Sequence, residues 1–160
     1  MTTFRPWSVL VLLACLGAVA LHARPATAEA LSVLRGATYL TTIKDAQGAF
    51  ASRGVITLHG DRTLSAIDSN QEGPTFFFSS QLGAWKFDRK GGVVGRTLNF
   101  VFPPLAPAVA RLDYTFTFSA HGTHVTGTIT LRTFSLQDDP LNEDGHVQGE
   151  FTFTGTLVTP

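Results

Sequence analysis

Beyond residue 30 or so, apolar residues recur at every second position, and no stretch shows the 3.6-residue spacing of an amphipathic helix. Runs rich in Thr, Val and Phe are separated by connections that carry Gly, Asp and Pro. This pattern predicts strands over Val33–Ile43, Ser52–His59, Thr63–Asn70, Thr75–Ser80, Gly83–Asp88, Val93–Phe102, Arg111–Ala120, Thr123–Phe134 and Val147–Thr159. The stretch "PPLAPAVAR" at 103–111 holds too many prolines for more than one helical turn.

Register matters because a slip of one residue exchanges the two faces of a strand. In "RLDYTFTFSAHGTHVTGTITLR", a two-residue turn at His121-Gly122 sets Leu112 opposite Leu131, Tyr114 opposite Ile129, Phe116 opposite Gly127 and Phe118 opposite Val125. The other face becomes a ladder in which Asp113, Thr115 and Thr117 meet Thr130, Thr128 and Thr126. In "SQLGAWKFDRKGGVVGRTLNFVF", the alternation Leu98, Phe100, Phe102 selects an even-length turn, which pairs Phe87 with Val94 and Trp85 with Arg96. That register brings the Arg96 guanidinium within reach of a cation–π stack on the indole. An odd turn would instead oppose Trp85 to Gly95 and place Thr97 and Asn99 on the tryptophan face.

Short strands with one apolar face, joined by hairpin-length connections, close into a barrel or split into a sandwich. The successive hairpins and the lack of long crossovers favour a single antiparallel up-and-down β-barrel of about eight to nine strands. In it "GEFTFTGTLVTP" closes against "VLRGATYLTTI". The aromatic residues Tyr39, Trp85, Phe87, Phe100, Phe102, Tyr114, Phe116, Phe118, Phe151 and Phe153, with Arg96, are expected in its interior. A barrel of this size either fills with such side chains or holds one small ligand among them. "TFFFSS" at Thr75–Ser80 adds apolar surface near a rim, which if exposed would mark a partner or a ligand mouth.

The N-terminus has another character. Arg5, an apolar run from Trp7 to Leu21, and the small residues Ala26-Thr27-Ala28 have the layout of a secretory signal peptide spanning 1–28, leaving 29–160 as one domain. A lipoprotein box at "LLAC", ending in Cys15, is the alternative, and the run is short for a permanent membrane span. The expected setting is therefore secreted or periplasmic. Cys15 is the only cysteine, so the domain beyond the leader has no disulfides and depends on burial and backbone pairing. The chain has 12 basic and 12 acidic residues. Apart from the adjacent Arg89 and Lys90 the basic ones are scattered singly, which argues against a nucleic-acid partner.

Catalytic and metal-binding patterns are weak. His121 and His124 in "HGTH" are three apart, but the register places one in a turn and the other on the threonine face, so no metal is expected. "QDDPLNEDGH" lacks calcium-loop spacing, because Pro140 and Leu141 stand where oxygens are required, and it reads as a solvated loop ending in the turn Asp144-Gly145. Serine-nucleophile elbows and phosphate-binding glycine loops are missing, and no cofactor is implied. Asp113 and Asp88 share the polar face. Asp68 shares parity with Leu64 and Ala66, and His59 with Val55, so these two carry any proton-transfer chemistry.

Together, "RGVITLHGDRTLSA", "LGAWKFD", "GRTLNFVF" and "HGTHVTGTITLRTF" resemble small exported bacterial barrels of the calycin type, in the broad lipocalin sense. The likeness extends from about Arg35 to Val158 and contains no catalytic signature. Lipocalins carry their Gly-x-Trp on the first strand, whereas Gly83-Ala84-Trp85 lies on a middle one. Allene-oxide-cyclase-like barrels are similar in shape. The apolar, aromatic face of every strong strand, without a catalytic constellation, predicts a non-enzymatic exported binding protein for a small apolar ligand or a protein partner. The alternative is a barrel isomerase or cyclase, activities found among the allene-oxide-cyclase-like barrels, with Asp68 or His59 as the proton-transfer group.

Overall fold

The computed structural model describes residues 36–73, 75–88 and 92–160. Eight strands, β1 (Ala37–Lys44), β2 (Phe50–Leu58), β3 (Thr63–Asp68), β4 (Gln81–Phe87), β5 (Val93–Val101), β6 (Ala108–Phe118), β7 (His124–Phe134) and β8 (His146–Leu157), pair in sequence order. The sheet closes as an antiparallel up-and-down barrel. β1 meets β8 from Tyr39 opposite Leu157 to Lys44 opposite Thr152, so the ends of the domain close the ring as the alternation predicts. The expected leader and Cys15 lie outside the described residues.

The β6–β7 register is the expected one, from Leu112 opposite Leu131 to Phe118 opposite Val125. Its turn differs in detail. The Gly122 amide bonds the Ser119 carbonyl, and only Gly122 has a positive φ, 65°, so the connection is wider than a two-residue type I′ turn. The even span between Ser119 and His124 preserves the pairing. Outside, Thr115 and Thr128 share a hydroxyl–hydroxyl bond at 2.7 Å.

The β4–β5 hairpin takes the odd register instead, with Trp85 opposite Gly95 and Phe87 opposite Val93. This corrects the expected pairing of Trp85 with Arg96. Asp88 and Gly92 close the hairpin by two bonds across three intervening residues, which sets the odd length. Gly95 suits the position opposite the indole because a Cβ there would meet Leu64 at 2.6 Å and Phe116 at 3.3 Å. Arg96 is consequently outside, where its Nε meets Asp113 at 2.6 Å. Inside, the guanidinium would have been desolvated against an aromatic wall.

The slip moves other residues as well. Phe100 and Phe102 face outward, at 54% and 38% exposure, rather than into the barrel. With Ile67, Leu82, Phe76 and Phe77 they make an apolar outer surface over β3–β5. The segment expected as a strand at Thr75–Ser80 makes only one bridge, Phe78 to Val101, so the barrel has eight strands and not nine.

Inside, Tyr39, Leu58, Leu64, Val93 and Val125 are fully buried, and rings stack through the centre. Tyr114 lies parallel to Phe116 at 5.5 Å, Phe116 parallel to Phe118 at 6.3 Å, and Phe153 edge-on to Phe116 at 5.5 Å. Each such pair adds about 0.5–1.5 kcal/mol beyond its buried area. Tyr39, Trp85, Tyr114, Phe116 and Phe153 are buried in the interior, Phe118 and Phe151 are partly buried, and Phe87 sits at the rim.

Candidate functional site: the polar end of the barrel

The two ends of the barrel are built from different residues. At the end bearing the β2–β3, β4–β5 and β6–β7 turns, large side chains close the bore and aim their polar tips at backbone. The Trp85 indole N–H donates to the His59 carbonyl at 2.9 Å, and the Tyr39 hydroxyl donates to the Gly122 carbonyl at 2.8 Å. Phe87 packs edge-on against the indole at 5.2 Å, and Phe118 lies 5.9 Å from the Tyr39 ring. Burial pushes the Tyr39 phenol up to about 12. Among the described residues, rings fill this end of the bore, and the Trp85 and Tyr39 polar atoms are bonded to backbone.

The opposite end carries the β1–β2, β3–β4, β5–β6 and β7–β8 connections. Here the inward positions of β2–β5 are polar: Ser52, Asp68, Gln81, Thr97 and Asn99, of which all but Asp68 are buried. Strand alternation places them. Asp68 follows Leu64 and Ala66 on the inner face of β3, Gln81 precedes Trp85 on that of β4, and Thr97 and Asn99 follow Gly95 on that of β5. Facing them across the bore, β6–β8 offer Leu112, Ile129 and Phe151, and Leu112 and Phe151 keep part of their surface open. The bore at this end thus has a polar wall and an apolar wall.

Hydrogen bonds fix the polar wall. The Tyr114 and Thr97 hydroxyls both donate to Gln81 Oε1. Ser52 donates to Asp68 Oδ2 at 2.7 Å, and the Asn70 amide donates to Oδ1 at 2.8 Å. Burial raises the Tyr114 phenol well above its ordinary range, and the Asp68 charge adds to the rise. Tyr114 is therefore a neutral donor over the whole physiological range, and its hydroxyl senses the carboxylate through the interior. Asn99 donates from Nδ2 to the Ser79 carbonyl at 3.4 Å. A carbonyl only accepts, so the side-chain orientation is fixed. Asn99 Oδ1 is buried without a hydrogen-bond partner among the described residues, as is Gln71 Oε1 in the β3–β4 connection.

Other candidates are placed elsewhere. His59 is exposed on the outside and bonds the Ser65 hydroxyl at 3.0 Å, so it does not share the bore with Asp68. His121 is at a turn and His124 on the outer face of β7. Among the described residues no three His, Cys, Asp or Glu side chains converge as metal ligands would. Asp113 stands on the outer wall, held by Arg96, Arg111 at 3.1 Å and Arg132 at 3.0 Å. The carboxylates of 137–146 cap their own loop: Asp138 accepts from the Ser135 amide and Asp139 from the Leu141 amide. The Pro140 and Glu143 carbonyls of that loop accept from Arg111. Two open grooves of about 630 and 620 Å³ also lie on the outer wall, one between the β1–β2 loop and β7–β8, the other along β4–β7 around Asp113. In the second, Arg96 and Arg132 pair with Asp113, and Thr115 bonds Thr128.

Sequence reasoning missed Ser52, Gln81, Thr97 and Asn99 as inward residues. The signal was the parity of Gln81 with Trp85, together with the odd-turn alternative that puts Thr97 and Asn99 on the tryptophan face. No family model, curated protein or solved structure matches the chain.

Proposed function

We propose that the protein is a non-enzymatic binding barrel, calycin-like in the broad sense and exported, that takes a small, mainly apolar molecule through its polar-walled end. The observation that carries this reading is the contrast between the ends. One is sealed by rings whose polar tips are bonded to backbone, while the other holds buried polar side chains opposite partly exposed Leu112 and Phe151. Ligand sites have this composition, a mostly apolar lining with a few placed polar groups. The outward threonine ladders and the apolar interior are the reverse of a membrane-spanning barrel, which favours a protein that works in water.

Nile red, a neutral apolar dye, tests the reading. Saturable, blue-shifted emission at one dye per chain is expected. It should persist in Leu82→Glu, which alters only the outer apolar surface, and be lost in Leu112→Trp, which fills the apolar wall. No saturable binding, or binding lost in Leu82→Glu alone, would contradict it.

A second reading, proton transfer by Asp68 in an isomerase or cyclase, is favoured by the inward position of that carboxylate and by its influence on Tyr114. Asp68→Asn separates the two. In a binding barrel it alters affinity alone, whereas in an enzyme it abolishes turnover while substrate still binds.

A further inference from the structure

Resting on the binding-barrel reading, we infer that the ligand carries a primary ammonium or amine head, which Asp68 and the bare Asn99 carbonyl oxygen receive at the polar wall. Three observations lead there.

The first is the sign of the available groups. Asp68 is a carboxylate on the inner face of β3, and the ion pairs found among the described residues all use Asp113, so no arginine or lysine among the described residues pairs with it. Its two protein bonds, from Ser52 and Asn70, occupy one site on each oxygen. An ionised carboxylate has about four lone-pair sites, so capacity remains for a charged donor.

The second is Asn99. At 6% exposure it is more than nine-tenths buried, and its amide is fixed by the Ser79 carbonyl so that Oδ1 is the atom left without a donor. A buried acceptor left unpaired loses its bond to water and gains none in return, which is costly. A barrel that retains one on the same inner polar wall as a carboxylate calls for a ligand that donates.

The third is what the wall cannot bind. Gln81 Oε1 already accepts from Tyr114 and Thr97, so those hydroxyls are committed as donors and do not await an anion. A divalent metal is a poor match as well. Calcium takes six to eight oxygens, usually from several carboxylates, and this wall has one. A monovalent head with several N–H donors matches one charge and two or more acceptors, and the apolar wall of Leu112, Ile129 and Phe151 suits an alkyl or aryl body.

The test is a series with one eight-carbon body and different heads, titrated calorimetrically into the full-length domain: octylammonium, octyltrimethylammonium, octanol and octanoate. Octylammonium should bind at least tenfold more tightly than octanol, and octanoate should not bind measurably. Octyltrimethylammonium, which has the charge but no N–H, should fall below octylammonium, because Asn99 then receives nothing. Asp68→Asn should remove most of the ammonium preference while leaving octanol nearly unchanged. The wild-type series stands alone if that variant fails to fold. Equal binding of all four heads would overturn this inference and leave the binding barrel intact, whereas failure of every head, with no saturable Nile red binding, would overturn both. Competition of octylammonium by millimolar calcium, or a thermal shift produced by calcium alone, would assign the carboxylate to a metal and overturn the amine.

Discussion

The two ends of this barrel solve the same problem, closing a bore about eight strands round, with opposite chemistry. At the sealed end, Trp85 and Tyr39 give the bore large hydrophobic bodies and hand their single polar atoms to the backbone of neighbouring turns. At the polar end, the chain buries Gln81, Thr97 and Asn99, bonds Thr97 and Tyr114 to Gln81 and Asn99 to the Ser79 carbonyl, and leaves Asn99 Oδ1 without a partner among the described residues. The first arrangement is what stability alone would select, since among the described residues its buried side-chain polar atoms are paired. In the second, part of the polar capacity has no protein partner, a pattern found where a site gives up stability to a ligand. Substitutions at the two ends should therefore differ in sign as well as in size.

The largest effect is expected at the sealed end. Trp85→Ala removes a buried indole and its bond to His59, and should lower the stability measured by urea denaturation by about 3–5 kcal/mol. Little change would mean that the rings do not close the bore.

Alkaline pH tests both ends together, because the chain has only two tyrosines, one in each. Unfolded tyrosine ionises near pH 10, whereas the folded protein holds the Tyr39 proton to about 12 and the Tyr114 proton higher still. Stability from these groups is thus complete below pH 10 and falls as the pH rises from 10 towards 12. Each tyrosine contributes a slope of about 1.4 kcal/mol per pH unit. Tyr39→Phe should halve that slope, and an unchanged slope would show that Tyr39 ionises normally.

At neutral pH, Tyr39→Phe removes only a hydroxyl and leaves the Gly122 carbonyl short of a donor, a loss of about 1–2 kcal/mol by the same denaturation measurement. Asn99→Leu sharpens the contrast, since it replaces an incompletely paired buried amide with an apolar side chain. It should be neutral or stabilising by up to about 1 kcal/mol, while weakening octylammonium binding. A clear destabilisation would mark Asn99 as a structural residue. The smallest effect belongs to Arg96→Ala on the outer wall, where the side chain is 44% exposed and the change should cost under about 1 kcal/mol. Trp85 fluorescence should be unaltered by it; a shift would return the arginine to the indole.

Much of the barrel was legible in the sequence because local chemistry and pattern agreed. In β6–β7, glycine at the turn, threonines on one side and Leu, Tyr and Phe on the other all demand one register. Closure of β1 on β8 followed from the same alternation. In β4–β5 the pattern misled, for a physical reason. Periodicity reveals that Leu98, Phe100 and Phe102 share a face, but not whether that face is the inner one. The turn has an odd length, Gly95 is the residue that fits beneath Leu64 and Phe116, and Thr97 and Asn99 find partners only once Gln81 of β4 and Ser79 of the β3–β4 connection come close. The polar wall depends on those long-range bonds. Asp68 was visible as an inward candidate from its parity with Leu64 and Ala66, while its Ser52 partner was not.

The most direct test of the functional account is to locate a bound molecule by NMR, titrating octylammonium into the labelled protein and following side-chain signals. Entry through the polar end predicts saturable shifts at the Asn99 amide and at the Leu112 and Phe151 side chains, with the Trp85 indole N–H unmoved. Shifts centred on Trp85 and Tyr39, or confined to the outer surface around Leu82 and Phe100, would contradict it.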